Sequence, residues 1–154
     1  KSAYLKCFGF NSRLDNLHAS VALLKLKKID FWIKKRREIA NYYHSHLGKQ
    51  KNLIIPKFKD SNKNIYYDTY NSYVIRVKKN RDALKKFLEK SGIEVFIHME
   101  RGVHLERLLN VGKWNLPITE KIEKQIISLP IYPELKKTDQ DYIIDRINLF
   151  FKKK

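Results

Sequence analysis

The side chains best suited to chemistry in this sequence are five histidines, one cysteine and a few polar residues beside turns. His98 and His104 flank Met-Glu-Arg-Gly-Val, a tight connection following a strand-like run, and loops after strand ends commonly carry sites. On composition alone, a structural role for this pair is the more common outcome. His44 and His46 stand two apart in a helical pattern, so they share no face and make a poor metal pair. His18 reads as packing or surface, and Cys7 has no base beside it to activate a thiolate. Glu100 and Glu106 are spaced as an acid/base pair, although two solvated carboxylates are the simpler reading. Asn11 lies just ahead of a helix start, where its amide suits an anion, a neighbouring backbone group or an ordinary turn. With five glycines in total there is hardly material for a phosphate-cradling loop. These residues alone assign no reaction.

The chain of 154 residues suits one domain, and its 43% hydrophobic and 12% aromatic content supports a packed core rather than a disordered basic tail. No apolar run approaches the roughly 18–20 residues of a membrane span, no signal peptide is visible, and the cytoplasm is the expected location. A single cysteine excludes an internal disulfide and a four-cysteine zinc site. The formal charge of +17 invites a nucleic-acid reading. The basic residues are dispersed, however: residues 1–50, 51–100 and 101–154 carry eleven each, against three, six and seven acidic ones. Lys outnumbers Arg 25 to 8, whereas bidentate phosphate or base reading favours Arg. A lysine-rich solvated surface is therefore expected, and nucleic acid is not the expected partner. Lys1 opens the chain in place of a methionine, which is read as the mark of a piece of a longer protein.

The elements that must position these residues follow from periodicity. Ser12-Arg13-Leu14-Asp15 resembles a capping box, and no Pro or Gly intervenes before Gly48, so one long helix is expected over 12–47, with a break near Asp30. Its apolar residues form two stripes, one of Leu14, Leu17, Val21 and Leu24 and one of Ala22, Leu26, Ile29, Ile33, Ala40, Tyr43 and Leu47. A surface helix needs one stripe, so the second is expected to face another domain or subunit. Strands are expected at 70–77, 93–97 and 126–129, with a short one at 53–55. Asn80 is expected to cap a helix over 81–91, with Leu84, Phe87 and Leu88 inward and Gly92 at its end. Short helical stretches are expected at 105–109 and 119–125. A last helix begins at Thr138-Asp139-Gln140-Asp141 and buries Tyr142, Ile143, Ile147, Phe150 and Phe151. The order predicts an α+β fold: a long N-terminal helix, then a small sheet of about three strands with helices on one face.

Several segments read together resemble a family. Gly9-Phe10-Asn11-Ser12-Arg13-Leu14-Asp15-Asn16-Leu17-His18-Ala19 is similar to the Gly-x-Asn-x-Arg-Leu-Asp-x-x-Gln-Ala segment of DegT-type sugar aminotransferases, pyridoxal-phosphate (PLP) enzymes that aminate keto-sugars carried on nucleotides. Leu23-Leu24-Lys25-Leu26 with Arg36-Arg37-Glu38-Ile39-Ala40-Asn41-Tyr42-Tyr43 resembles the helix that follows. Tyr73-Val74-Ile75-Arg76-Val77, Arg81-Asp82-Ala83-Leu84, Gly92-Ile93-Glu94-Val95 and Ser128-Leu129-Pro130-Ile131-Tyr132-Pro133-Glu134-Leu135 continue the resemblance in order and register. It runs from about residue 9 to residue 150 and concerns the C-terminal part of the family only.

The resemblance implies the small C-terminal domain of a fold-type-I PLP enzyme. Residues 1–47 would be the entry segment and long interdomain or dimer helix, and residues 48–154 the α+β sandwich. The large PLP-binding domain, with the lysine that bonds the cofactor, would lie upstream; Lys25, Lys27 and Lys28 fall outside that motif. The implied partners are that large domain, a second subunit and a keto-sugar nucleotide, in amino-sugar and surface-polysaccharide biosynthesis. No catalytic residue is expected in this chain, and alone it should be inactive. Asn11 matches the asparagine that reaches across the dimer to the PLP phosphate. Arg13 matches an arginine that serves substrate phosphates or pairs with Asp15. His98 and His104 match the two histidines of His-Tyr-Pro-x-Pro-Leu-His on the substrate side of the pocket, where Met99, Glu100 and Gly102 replace Tyr, Pro and Pro. Arg101, between them, is a further substrate-binding candidate, and with Arg107 it could offset Glu100 beside a diphosphate. Two other readings stand beside this one. One is a free-standing basic binding or regulatory module for nucleic acid. The other is a dehydratase-like relative with histidine at the upstream lysine position.

Overall fold

A computed structural model describes residues 14–56, 67–98, 100–106, 110 and 112–152. It begins with two helices, α1 (Asn16–Leu26) and α2 (Ile29–Leu47), followed by β1 (Leu53–Ile54), β2 (Tyr73–Val77), α3 (Arg81–Lys90), a 3₁₀ turn at Val103–Leu105, α4 (Pro117–Glu123), β3 (Ile126–Leu129) and α5 (Lys137–Lys152). The strands form one antiparallel sheet in the order β1-β2-β3, with Leu53 opposite Val77 and Ile75 opposite Ile127. This is a small α+β fold.

The core lies between that sheet and α2, α3 and α5. Tyr73, Ile75 and Val77 alternate inward along β2, while Val74 and Arg76 face the half-buried side. Ile39, Ala40, Tyr43 and Leu47 meet them from α2, Leu84 and Leu88 from α3, and Ile143, Ile144, Ile147 and Phe150 from α5. On the outer side of β2, Arg76 donates from Nε and Nη2 to Gln125 Oε1, at 3.2 and 2.8 Å. Gly92 ends α3 with a φ of +76°, a conformation costly for any residue with a Cβ, and lets the Ile93 N–H return to Leu88 O.

Several expectations need correction. The helical stretch over 12–47 is two helices, and the break expected near Asp30 falls at Lys27 and Lys28. There the Lys28 N–H turns back to Lys25 O, three residues away. The cap of α1 is Asp15, whose carboxylate accepts the His18 N–H at 2.9 Å; Ser12 lies outside the described residues. Gly48 does close α2, but with a right-handed φ of −60°. Strand β2 starts at Tyr73, not residue 70, because Tyr70 adopts a φ of +49° in a turn bonded to Asp68. The strand expected at 93–97 shrinks to one bridged pair, Phe96 with Ser128. Continuing it would pair Glu94 with Pro130, which has no N–H to give.

Asn80 precedes α3 in a left-handed conformation and makes no side-chain cap. The helical stretch expected at 105–109 is the 3₁₀ turn at Val103–Leu105, with residues 107–109 outside the described ones. Helix α4 starts at Pro117, whose missing N–H suits a first turn, rather than at Thr119. Thr138 lies inside α5, and the Asp141 carboxylate accepts the Tyr42 hydroxyl instead of capping. Tyr142 is exposed, and Ile144 takes its place in the core.

Candidate functional site

The residues singled out at 98–104 hang from the free edge of β3. Phe96 and Ser128 exchange two backbone hydrogen bonds, at 3.2 and 2.7 Å, so the edge of the sheet fixes where the loop leaves. From that point the loop passes one wall of a cleft of about 510 Å³. Its floor is apolar, made in part by Ile93, Leu129 and Leu135, which are buried. Its rim carries Phe96, His98, Tyr132 and Tyr142, with Asn71 and Ser72 at the end of β2. Of the rim aromatics, Phe96, Tyr132 and Tyr142 are 53, 46 and 44% exposed, so part of their apolar surface is open to whatever enters. The imidazole of His98 stacks on Phe96, ring centres 6.1 Å apart and planes 23° from parallel. The Tyr142 hydroxyl donates to Ser91 O at 3.1 Å, which holds its ring at the edge of the cleft.

The structure separates the two loop histidines. His98 is exposed and lines the cleft. His104 turns the other way, its side chain 6% exposed, with Nε2 3.4 Å from Glu120 Oε1 on α4. Arg101 is exposed on the loop between them and is not part of the cleft wall. Asn11 and Arg13 lie outside the described residues, as do Cys7 and Arg107. Glu100 and Glu106 do not converge with His98 on the cleft. The Nδ1 of His46 lies 2.8 Å from Tyr42 O. Among the described residues no group of three or more His, Cys, Asp or Glu could hold a metal ion.

Sequence reasoning missed the aromatic rim and the two α4 carboxylates. Tyr132 was within reach, since it sits between Pro130 and Pro133, and two prolines around an aromatic residue fix an exposed turn. Glu120 and Glu123 carried no such signal, because nothing local distinguishes them from solvated charges.

Support behind the cleft comes from α2. The Tyr43 hydroxyl donates to Pro130 O at 3.0 Å and pins the Pro130–Leu135 segment to the core. Burial pushes the Tyr43 phenol well above its ordinary value, aided by the neighbouring Tyr73, so it stays a hydrogen-bond donor across the physiological range.

Helix α1 has no comparable support among the described residues. No residue of α1 is buried. Leu17, Leu23, Leu24 and Leu26 are 75, 66, 66 and 64% exposed, an apolar surface that soluble helices do not leave uncovered. No helix among the described residues is long and apolar enough to cross a membrane.

Known proteins share this fold. The chain is 32% identical to a pleiotropic regulatory protein of Geobacillus stearothermophilus, over 97% of its own length and 40% of the relative's. It is 30% identical to a dTDP-3-amino-3,6-dideoxy-alpha-D-galactopyranose transaminase of Aneurinibacillus thermoaerophilus, over 92% of its length and 38% of the relative's. It superimposes on the crystal structure of a DegT DnrJ EryC1 StrS aminotransferase from Brucella abortus with a TM-score of 0.79 and 32% identity, covering 92% of this chain and 37% of that one. The chain thus spans about two fifths of the length of these relatives. With the family's pattern matching residues 1–148, the chain belongs to the DegT/DnrJ/EryC1/StrS aminotransferase family.

Proposed function

We propose that this chain is the C-terminal, small-domain part of a PLP-dependent aminotransferase that aminates a keto sugar carried on a nucleoside diphosphate. The observation that carries the reading is the 30% identity to a dTDP-amino-sugar transaminase over 92% of this chain but only 38% of that enzyme. Residues 1–47 would join the small domain to a large cofactor-binding domain and to a second subunit, and residues 48–154 would form the sandwich beside the substrate. The bare α1 supports this division, since the missing three fifths of a relative's length is enough to cover it.

The described lysines nearest the Asn11 segment, Lys25, Lys27 and Lys28, are exposed, which does not suit a buried covalent cofactor link. Asn11 suits a phosphate by its chemistry: a neutral amide donates hydrogen bonds without adding charge. PLP, when bound, supplies the electron sink for moving an amino group. This chain's residues would bind and orient: Asn11 at the cofactor phosphate of the other subunit, with His98, Arg101 and Arg13 toward the substrate's sugar and phosphate oxygens.

The test is to mix the chain with PLP and a keto-sugar nucleotide and look for turnover. None is expected until the large domain is supplied. Turnover by the chain alone, or borohydride-trapped PLP on one specific lysine of it, refutes the reading. Independently, the coding sequence before Lys1 should contain a β-rich segment with the cofactor-binding lysine or its histidine replacement.

A further inference from the structure

Glu123 sits where a glutamate is unfavourable twice over. It is the last residue of α4, where a negative charge opposes the helix dipole. It is also only 8% exposed, and a buried carboxylate is costly unless it is hydrogen-bonded. What it does there is accept the Gly102 N–H, with Oε2 2.6 Å from the nitrogen, a charge-assisted bond in a buried setting. Three residues earlier on the same face of α4, Glu120 faces the ring of His104. Gly102 is shaped for this contact rather than for a special backbone angle, since its φ is −64°. A Cβ there would stand 2.5 Å from His104 Cε1, 2.7 Å from its Nδ1 and 3.2 Å from Glu123 Oε2. The loop is thus tied at both ends, by the Phe96–Ser128 bridge and by Gly102 on Glu123, and the exposed residues between the ties include His98 and Arg101.

We propose that Glu123 is a positioning residue: it anchors the 97–106 loop so that His98 and Arg101 are presented to the anionic substrate, without itself touching that substrate. The proposal rests on the reading given under Proposed function for the direction in which the loop faces; the anchor itself does not.

The test compares Glu123→Leu, Glu123→Gln and Gly102→Ala by amide exchange of the Gly102 N–H in the chain. It then measures dTDP and UDP binding in the complete PLP-bound polypeptide that carries the chain. In Glu123→Leu the Gly102 amide should exchange at least about tenfold faster, with core amides of β2 unchanged. The dTDP or UDP dissociation constant should rise about three- to tenfold, the scale of re-ordering one loop. Glu123→Gln keeps an acceptor oxygen and should restore both. Gly102→Ala should weaken nucleotide binding similarly by driving the His104 ring off α4, which keeps the idea testable where the leucine variant does not fold. Unchanged Gly102 exchange in Glu123→Leu overturns the anchor. Faster exchange with unchanged nucleotide affinity, while His98→Ala weakens it, overturns the positioning role alone. If His98→Ala and Arg101→Ala also leave affinity unchanged, the positioning role falls together with the substrate-side assignment on which it rests.

Discussion

Tyr43 and Tyr73 invite a comparison in which the same chemical change should have opposite effects. Their rings lie 5.2 Å apart in the core, and they are 0 and 1% exposed. Tyr43 donates its hydroxyl to Pro130 O at 3.0 Å. The Tyr73 hydroxyl is buried with no partner among the described residues. Replacing each by phenylalanine removes one oxygen and leaves the ring. In Tyr43→Phe the loss is one neutral hydrogen bond, about 0.5–1.5 kcal/mol net. The bond is part-buried, and its loss should cost about 1 kcal/mol. In Tyr73→Phe the change removes an unpaired buried hydroxyl, whose burial costs about 1–3 kcal/mol in mutational data. The variant should therefore be as stable as the parent or more stable by about 1 kcal/mol. With a urea slope of about 2 kcal/mol per molar, the two midpoints should fall about 0.5 M below and up to about 0.5 M above the parent. Equilibrium urea unfolding followed by far-UV circular dichroism reads both. Equal destabilisation of the two variants would refute the reasoning, because it would mean that the Tyr73 hydroxyl has a partner.

The same pair sets an alkaline limit. Burial raises both phenols above the ordinary tyrosine value of 10.0. Their contribution is complete below about pH 10; above it the unfolded state ionises first, and stability falls by about 1.4 kcal/mol per pH unit per tyrosine until the folded phenols ionise. Since lysines also lose charge there, the decisive quantity is the difference between parent and Tyr43→Phe, whose alkaline slope should be shallower; parallel curves would contradict it. On α1, Leu17→Glu and Leu24→Glu should change the chain's urea stability by less than about 0.5 kcal/mol, because both side chains are already in solvent. The same changes should abolish association with a separately expressed cofactor domain in gel filtration; undiminished association would rule out α1 as the joining surface. The lysines around the Lys78, Lys79, Lys121 and Lys124 cleft should not confer specific nucleic-acid binding. A gel shift with duplex DNA should show no complex at about 0.15 M salt, and a tight, salt-resistant complex would revive the binding-module reading.

What the sequence discloses depends on whether the deciding forces are local. Helix α3 and strand β2 were legible because periodicity and burial coincide: Leu84 and Leu88, and Tyr73, Ile75 and Val77, occupy the inward positions that spacing assigns. The break after α1 was legible only to within a few residues of Asp30, because Lys27 and Lys28 carry no breaker signal and helix propensity is silent about which turn of a long pattern loosens. The shortened pairing at Phe96 depends on Pro130, more than thirty residues away, so no window over 93–97 contains it. His98 and His104 were legible as a pair but not as opposites. Their spacing is identical in either arrangement, and only α4, which brings two carboxylates under the loop, decides which imidazole is held and which is shown.

That division of labour explains how the loop keeps its shape without a proline between His98 and His104. A turn stiffened by proline has its shape built into the backbone. The loop with Glu100 and Gly102 must obtain it from outside, and the structure supplies it through Glu123 on the Gly102 amide and Glu120 on the His104 ring. The glycine is then part of the anchor rather than a loss of order, because a proline at 102 would have no N–H for Glu123 to accept and would place a Cβ against the His104 ring. A Gly102→Pro variant should therefore loosen this loop rather than stiffen it. Faster exchange at the neighbouring Val103 and His104 amides would show it, and slower exchange there would mean that backbone stiffness, not the α4 carboxylates, sets the loop's shape.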